Sequence, residues 1–78
     1  MEVVGSARKH GCTDESIRHA IEHAVVSEPA GEEPERVLFL GPDPAGNLLE
    51  VVAIVRTDRS LVAVHAMAMR AKYRRLLP

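Results

Sequence analysis

Between Arg36 and Val64 the chain carries three short apolar runs, each closed by turn-forming residues, and this punctuation restricts the fold more than any other feature. Arg36-Val37-Leu38-Phe39-Leu40 stops at Gly41-Pro42 and is too short for a typical helix, so it reads as a strand buried on both faces. Asp43-Pro44-Ala45-Gly46-Asn47 is turn chemistry, which returns the next run against the first as a hairpin with a longer loop. That second run, Leu48 to Val55, is β-branched at Val51, Val52, Ile54 and Val55. Thr57-Asp58-Arg59-Ser60 makes another turn, and Leu61-Val62-Ala63-Val64 is the third strand, leading through His65-Ala66 into a basic segment. Consecutive strands on short turns predict an antiparallel meander.

Helical signals flank it. Glu2-Val3-Val4 reads as a short strand ended by Gly5; Ser6 caps a brief helical turn through His10, which Gly11 stops in a left-handed conformation. Thr13 is an N-cap with Asp14 and Glu15 in the first turn behind it, favourable to the helix dipole. Ile17, Ala20, Ile21, Ala24 and Val25 form one apolar stripe, predicting a helix to about Ser27. Residues 29–34 read as a breaker-rich acidic loop, and a short C-terminal helix begins near Ala68. The expectation is a single α+β domain over residues 1–78, ordered (β)αβββα, its three- or four-stranded antiparallel sheet packed by the N-terminal helix.

Seventy-eight residues form one small domain that buries only about 60% of its unfolded surface. With 46% hydrophobic and 27% charged residues, composition excludes collagen-like, low-complexity and wholly disordered chains. Phe39 and Tyr73 are the only aromatics, so the core is aliphatic. A lone Cys12 excludes an internal disulfide and a multi-cysteine zinc site. No apolar run is long enough to span a bilayer, and the N-terminus lacks a signal-peptide layout, which predicts a soluble, cytoplasmic chain without a membrane partner. Net charge is −1, but the bases gather late: Arg70, Lys72, Arg74 and Arg75 close the chain with no acid among them. That asymmetry points to a polyanion or an acidic partner surface, with a solvated helix face as the plainer alternative.

Several side chains could carry chemistry. His19 and His23 sit one helical turn apart, a metal-compatible spacing, but further ligands are missing. Exposed helix histidines are the better reading, and neither metal nor cofactor is expected. Cys12 lies near a helix N-terminus without an identifiable base. Arg8-Lys9-His10 puts two cations and a titratable ring on one turn. The last group is His65 with Arg70, Lys72 and Tyr73, and Arg56 ends the neighbouring strand. Metal-free RNA cleavage needs a base for the 2′-hydroxyl, an acid for the 5′-oxygen and positive charge for the phosphorane-like transition state. On residue types alone, a Tyr73 that anchors the last helix and a set of solvated bases is the better account.

The order of features adds to this. Lys9-His10-Gly11, a helix soon after, Glu35-Arg36-Val37-Leu38-Phe39-Leu40-Gly41, Gly46-Asn47-Leu48-Leu49-Glu50-Val51-Val52 and a last strand with a basic tail resemble the BrnT-like branch of the RelE/ParE toxin superfamily. The likeness spans about residues 7–77 and rests on the ordered set. His65-Ala66-Met67 stands where that branch has a Ser-Ala-Arg segment, so its arginine is missing, with Arg70 three positions on as a substitute. Most of the branch's opening helix is missing too.

The resemblance implies a RelE-like fold and the toxin of a type II toxin–antitoxin system. The implied activity is a hydrolase-type endoribonuclease cleaving messenger RNA, with the ribosome as one setting. It implies a cognate antitoxin, often of ribbon-helix-helix type. His10, His65, Arg70 and Tyr73 are the catalytic candidates; Lys9, Arg56 and Lys72 are the RNA-phosphate contacts. On this reading Arg70→Ala should fold and be inactive. The alternative is a non-catalytic toxin-like module that holds a protein or nucleic acid.

Overall fold

The β-rich middle of the chain folds as its punctuation predicts, and strands on both flanks widen the sheet. In the computed structural model, which describes residues 1–78, the strands are Glu2–Val3 (β1), Val26–Glu32 (β2), Glu35–Pro42 (β3), Leu48–Val55 (β4) and Leu61–Ala68 (β5). They form one sheet in the order β1-β5-β4-β3-β2. β2 to β5 pair antiparallel with their neighbours, whereas β1 runs parallel to β5, with Val3 opposite Ala63. One α-helix, Asp14–Glu22 (α1), and two 3-10 helices, Gly5–Arg8 and Ala71–Leu76, complete the chain. The class is α+β, with a mixed five-stranded sheet in place of the expected three- or four-stranded antiparallel one. No helix is long and apolar enough to cross a membrane.

β2 corrects the reading of residues 29–34 as a loop. An edge strand pairs on one side only, so a proline there need not break a ladder. Pro29 lies opposite Val37, and a register shift between Pro29 and Gly31 absorbs the extra residue. The helix, in turn, stops at Glu22 rather than near Ser27. Beyond it the Val25 N–H donates to the Leu40 carbonyl at 2.8 Å, which draws the chain onto the sheet and leaves Val25 exposed. The start of α1 is as predicted: Thr13 Oγ1 accepts from the Ser16 N–H at 3.1 Å, and Gly11 has φ of +85°.

α1 and the first 3-10 helix cover one face of the sheet. Ile17 and Ala20 pack with Val3, Ala7, Leu49, Val51, Ala63 and Ala66 in a core of small and medium aliphatic side chains. Small residues let the helix come close. At Gly41 the approach is closest, because a Cβ there would run into the Ala20 carbonyl oxygen.

β5 continues to Ala68, four residues past the expected end, and carries a bulge. Ala53 lies opposite Ala63 and Val52 opposite His65, leaving Val64 as the extra residue. Strict alternation would put His65 on the face of Ala63; the bulge lets Ala63 and Ala66 both face the core and sends His65 to the other side. The Val64 carbonyl accepts from Ser6 Oγ at 2.6 Å. Because Ala68 pairs with Leu49 and the Met69 N–H donates to Leu48, no helix can begin there; the last helix starts at Ala71 and is 3-10, not α.

Gly41→Ala tests the close approach. The added methyl must push α1 off the sheet, an overpacking cost of about 1–3 kcal/mol. For a domain this small each kcal/mol lowers Tm by roughly 4–8 °C. Thermal melts that match wild type would contradict the contact.

Candidate functional site

On the face turned away from α1, register sets Leu40, Glu50 and Met67 side by side across β3, β4 and β5. His65 lies two pairs further along, opposite Val52, on the same face. Glu50 is thus an acid in the middle of a central strand, and its side chain has no solvent exposure. A buried carboxylate must be paired and fully hydrogen-bonded. After β5 the chain turns over it to supply the partners. Glu50 Oε1 accepts from the Arg70 backbone N–H at 3.0 Å and from Arg70 Nε at 3.0 Å. Its Oε2 accepts from Arg70 Nη2 at 2.7 Å and from His65 Nε2 at 3.0 Å. No buried side-chain nitrogen or oxygen lacks a partner.

Burial pushes the Glu50 carboxyl up, but the Arg70 side chain and backbone and the His65 ring overcome it, holding the group at about 2. The carboxylate in turn raises the Arg70 guanidinium above its ordinary value. Glu50 is therefore ionised at neutral pH and is saturated as an acceptor.

Around this pair the structure brings together most of the residues that the sequence singles out. The His10 ring meets His65 edge-on, with centroids 5.8 Å apart. Lys72 Nζ lies 5.0 Å from the Tyr73 ring centroid and the Arg70 guanidinium 5.8 Å from it. His10, His65, Arg70, Tyr73 and Lys72 thus form one chain of neighbours, and Lys9 is exposed beside His10. Arg56 stands apart. It pairs with Glu2 at the other end of β4, six residues or roughly 20 Å of strand from Glu50. Arg8 is likewise committed, with Nε and Nη2 on Asp14 at 2.7 and 2.9 Å. The His65 side chain is 30% exposed and points across the sheet to Glu50.

Two hollows flank the cluster. One, of about 410 Å³, is lined by His10, Cys12, Ser16, Asp43 and Asn47. The other, of about 440 Å³, lies between Leu38, Val52, Tyr73 and Leu76. Burial, with the nearby Asp43, pushes the Cys12 thiol up, away from nucleophilic use. His19 donates from Nδ1 to the Pro42 carbonyl at 2.7 Å and stacks on His23, with centroids 4.3 Å apart. No group of three or more His, Cys, Asp or Glu side chains is arranged to hold a metal ion.

Glu50 is the residue that sequence reasoning passed over as a site member. Its signal was a lone acid inside Leu48-Leu49-Glu50-Val51-Val52, where every neighbour is apolar. Comparison of the chain with family models, with curated proteins and with solved structures gave no match.

Arg70→Ala changes meaning in this light. It strips two of the four donors, Nε and Nη2, from a buried carboxylate and leaves only the backbone N–H of residue 70 and His65 to hold it. In wild type the depressed Glu50 value makes its stabilisation complete above pH about 4.5 and lost as pH falls toward about 2. Arg70→Ala should therefore lower Tm most at neutral pH, with the gap from wild type closing as pH falls through that window. Melts from pH 2 to 7 on both proteins check this; a gap independent of pH would mean that Glu50 is not the partner.

Proposed function

We propose that the chain is a BrnT-like toxin of the RelE/ParE superfamily and a metal-independent endoribonuclease acting on messenger RNA, held in check by a cognate antitoxin protein. The observation that carries this reading is the His65 ring, hydrogen-bonded to an ionised, buried Glu50 with the His10 ring at its edge and three further candidates beside it. An α+β sheet with a helix on one face is compatible with a RelE-like fold. In the reaction, a histidine removes the proton from the 2′-hydroxyl as the 2′-oxygen bonds to phosphorus. The phosphorus–O5′ bond breaks and the 5′-oxygen takes a proton from a protonated His10 or from Tyr73. A 2′,3′-cyclic phosphate and a 5′-hydroxyl result. Arg70, through the N–H groups that Glu50 leaves free, and Lys72 face the charge that develops on phosphorus. Lys9 extends that contact along the RNA, whereas Arg56 belongs to a different part of the surface.

One observation favours the alternative of a non-catalytic binding module. Two guanidinium nitrogens of Arg70 are committed to Glu50, so its charge is compensated within the chain.

Expression without a partner should arrest bacterial growth, and the purified protein should cleave messenger RNA in translation reactions with EDTA present. A folded His65→Gln variant should cleave about 100-fold more slowly or worse, the usual loss on removing a positioned acid or base. Normal growth and intact RNA beside abundant folded protein would falsify the ribonuclease reading and leave the binding module. Activity lost in EDTA and restored by zinc, magnesium or manganese would overturn the metal-free chemistry.

A further inference from the structure

We propose that Glu50 is the positioning residue of this cluster: it fixes His65 as the tautomer protonated at Nε2, so that Nδ1 is the ring's proton acceptor. For its catalytic half this inference rests on the reading above; for its structural half it does not.

The argument begins with hydrogen-bond capacity. Three of the four hydrogen bonds that Glu50 accepts come from Arg70, whose groups can only donate. A carboxylate bound in this way presents an acceptor to its fourth partner. His65 Nε2, 3.0 Å from Oε2, must then be the donor. A neutral imidazole carries one N–H, so its lone pair lies on Nδ1. Nδ1 makes no hydrogen bond within the chain, so its lone pair is uncommitted, and the side chain as a whole is 30% exposed.

Two features of the fold serve this arrangement. The bulge at Val64 turns His65 toward Glu50, and the first 3-10 helix holds the bulge through Ser6. The same carboxylate grips Arg70 through Nε and Nη2, which fixes the plane of the guanidinium and leaves Nη1 outside the pair. One buried acid thus sets the tautomer of a base and the direction of a cation. It touches no substrate itself.

The test is ring-nitrogen NMR on the full chain labelled with 15N, at a pH where His65 is neutral. Wild type should show His65 protonated at Nε2 with an unprotonated Nδ1; an Nδ1–H tautomer, or an even mixture, would overturn the proposal. Glu50→Gln should release the lock and shift the His65 ring signals toward a mixture. In RNA cleavage the folded variant should lose roughly 10–100-fold in kcat, the scale on which misorienting a histidine through its outer partner acts, with KM little changed. If Glu50→Gln does not fold, the double variant Glu50→Gln/Arg70→Met removes the unmatched charge and carries the same NMR measurement. Unchanged His65 signals in either folded variant would refute the positioning role. Absence of RNA cleavage by wild type, with the expected tautomer present, would instead sink the ribonuclease reading alone.

Discussion

A carboxylate without access to water must find its hydrogen bonds inside the chain, and the need is strictest where two apolar neighbours flank it on a central strand. Glu50 meets that condition by drawing the chain's last segment over the sheet. The final 3-10 helix, Ala71–Leu76, contains no buried residue, so apolar burial does little to hold it. What holds it is the backbone and side chain of Arg70, the residue immediately before it, clamped on Glu50. An ion pair of this kind is weak support for net stability but strong support for a single arrangement, because losing either partner leaves the other stranded. The second face of the sheet is therefore organised by a polar contact, and the first face by aliphatic packing.

That division follows from composition. With two aromatic side chains in the whole chain, the core cannot be filled by a few large groups. It is filled instead by bringing backbones close together, with alanines at 7, 20, 63 and 66 and a glycine at 41 forming the contact between helix and sheet. Close packing of small residues leaves little slack, so the positions of β3 and α1 are tightly coupled.

The parts legible in the sequence were those governed by local chemistry. β4 was bounded correctly at Leu48 and Val55, and the turns at 43–47 and 57–60, the Thr13 cap and the left-handed Gly11 all follow from residues within a few positions. The parts missed depend on distant partners. β2 carries proline and glycine and becomes a strand only because β3 offers it an edge. The early end of α1 is set by a bond from Val25 to Leu40. The orientation of His65 depends on a bulge that leaves no mark in an unbroken apolar run. For the site, histidines, bases and tyrosine were identified by type, and five of them do lie together; the acid that joins them was hidden because an acid in a strand reads first as an exposed one. Arg56 lies apart from the cluster for the converse reason, since proximity to a strand end says nothing about which end of the sheet the cluster occupies.

The pairing of β1 with β5 has a consequence for the order of folding. The strands from β2 to β5 form by successive hairpins between close neighbours in sequence, whereas Ser6 and Val64 are 58 positions apart. Joining them closes a long loop, whose entropy is offset by two residues of parallel ladder, the burial of Val3 and Ala7, the Glu2–Arg56 pair and the contacts of one 3-10 turn. Contacts of such separation form late on topological grounds. On this topology the expected order is a meander built first and an N-terminal segment docked onto it, which brings the His10 ring to His65.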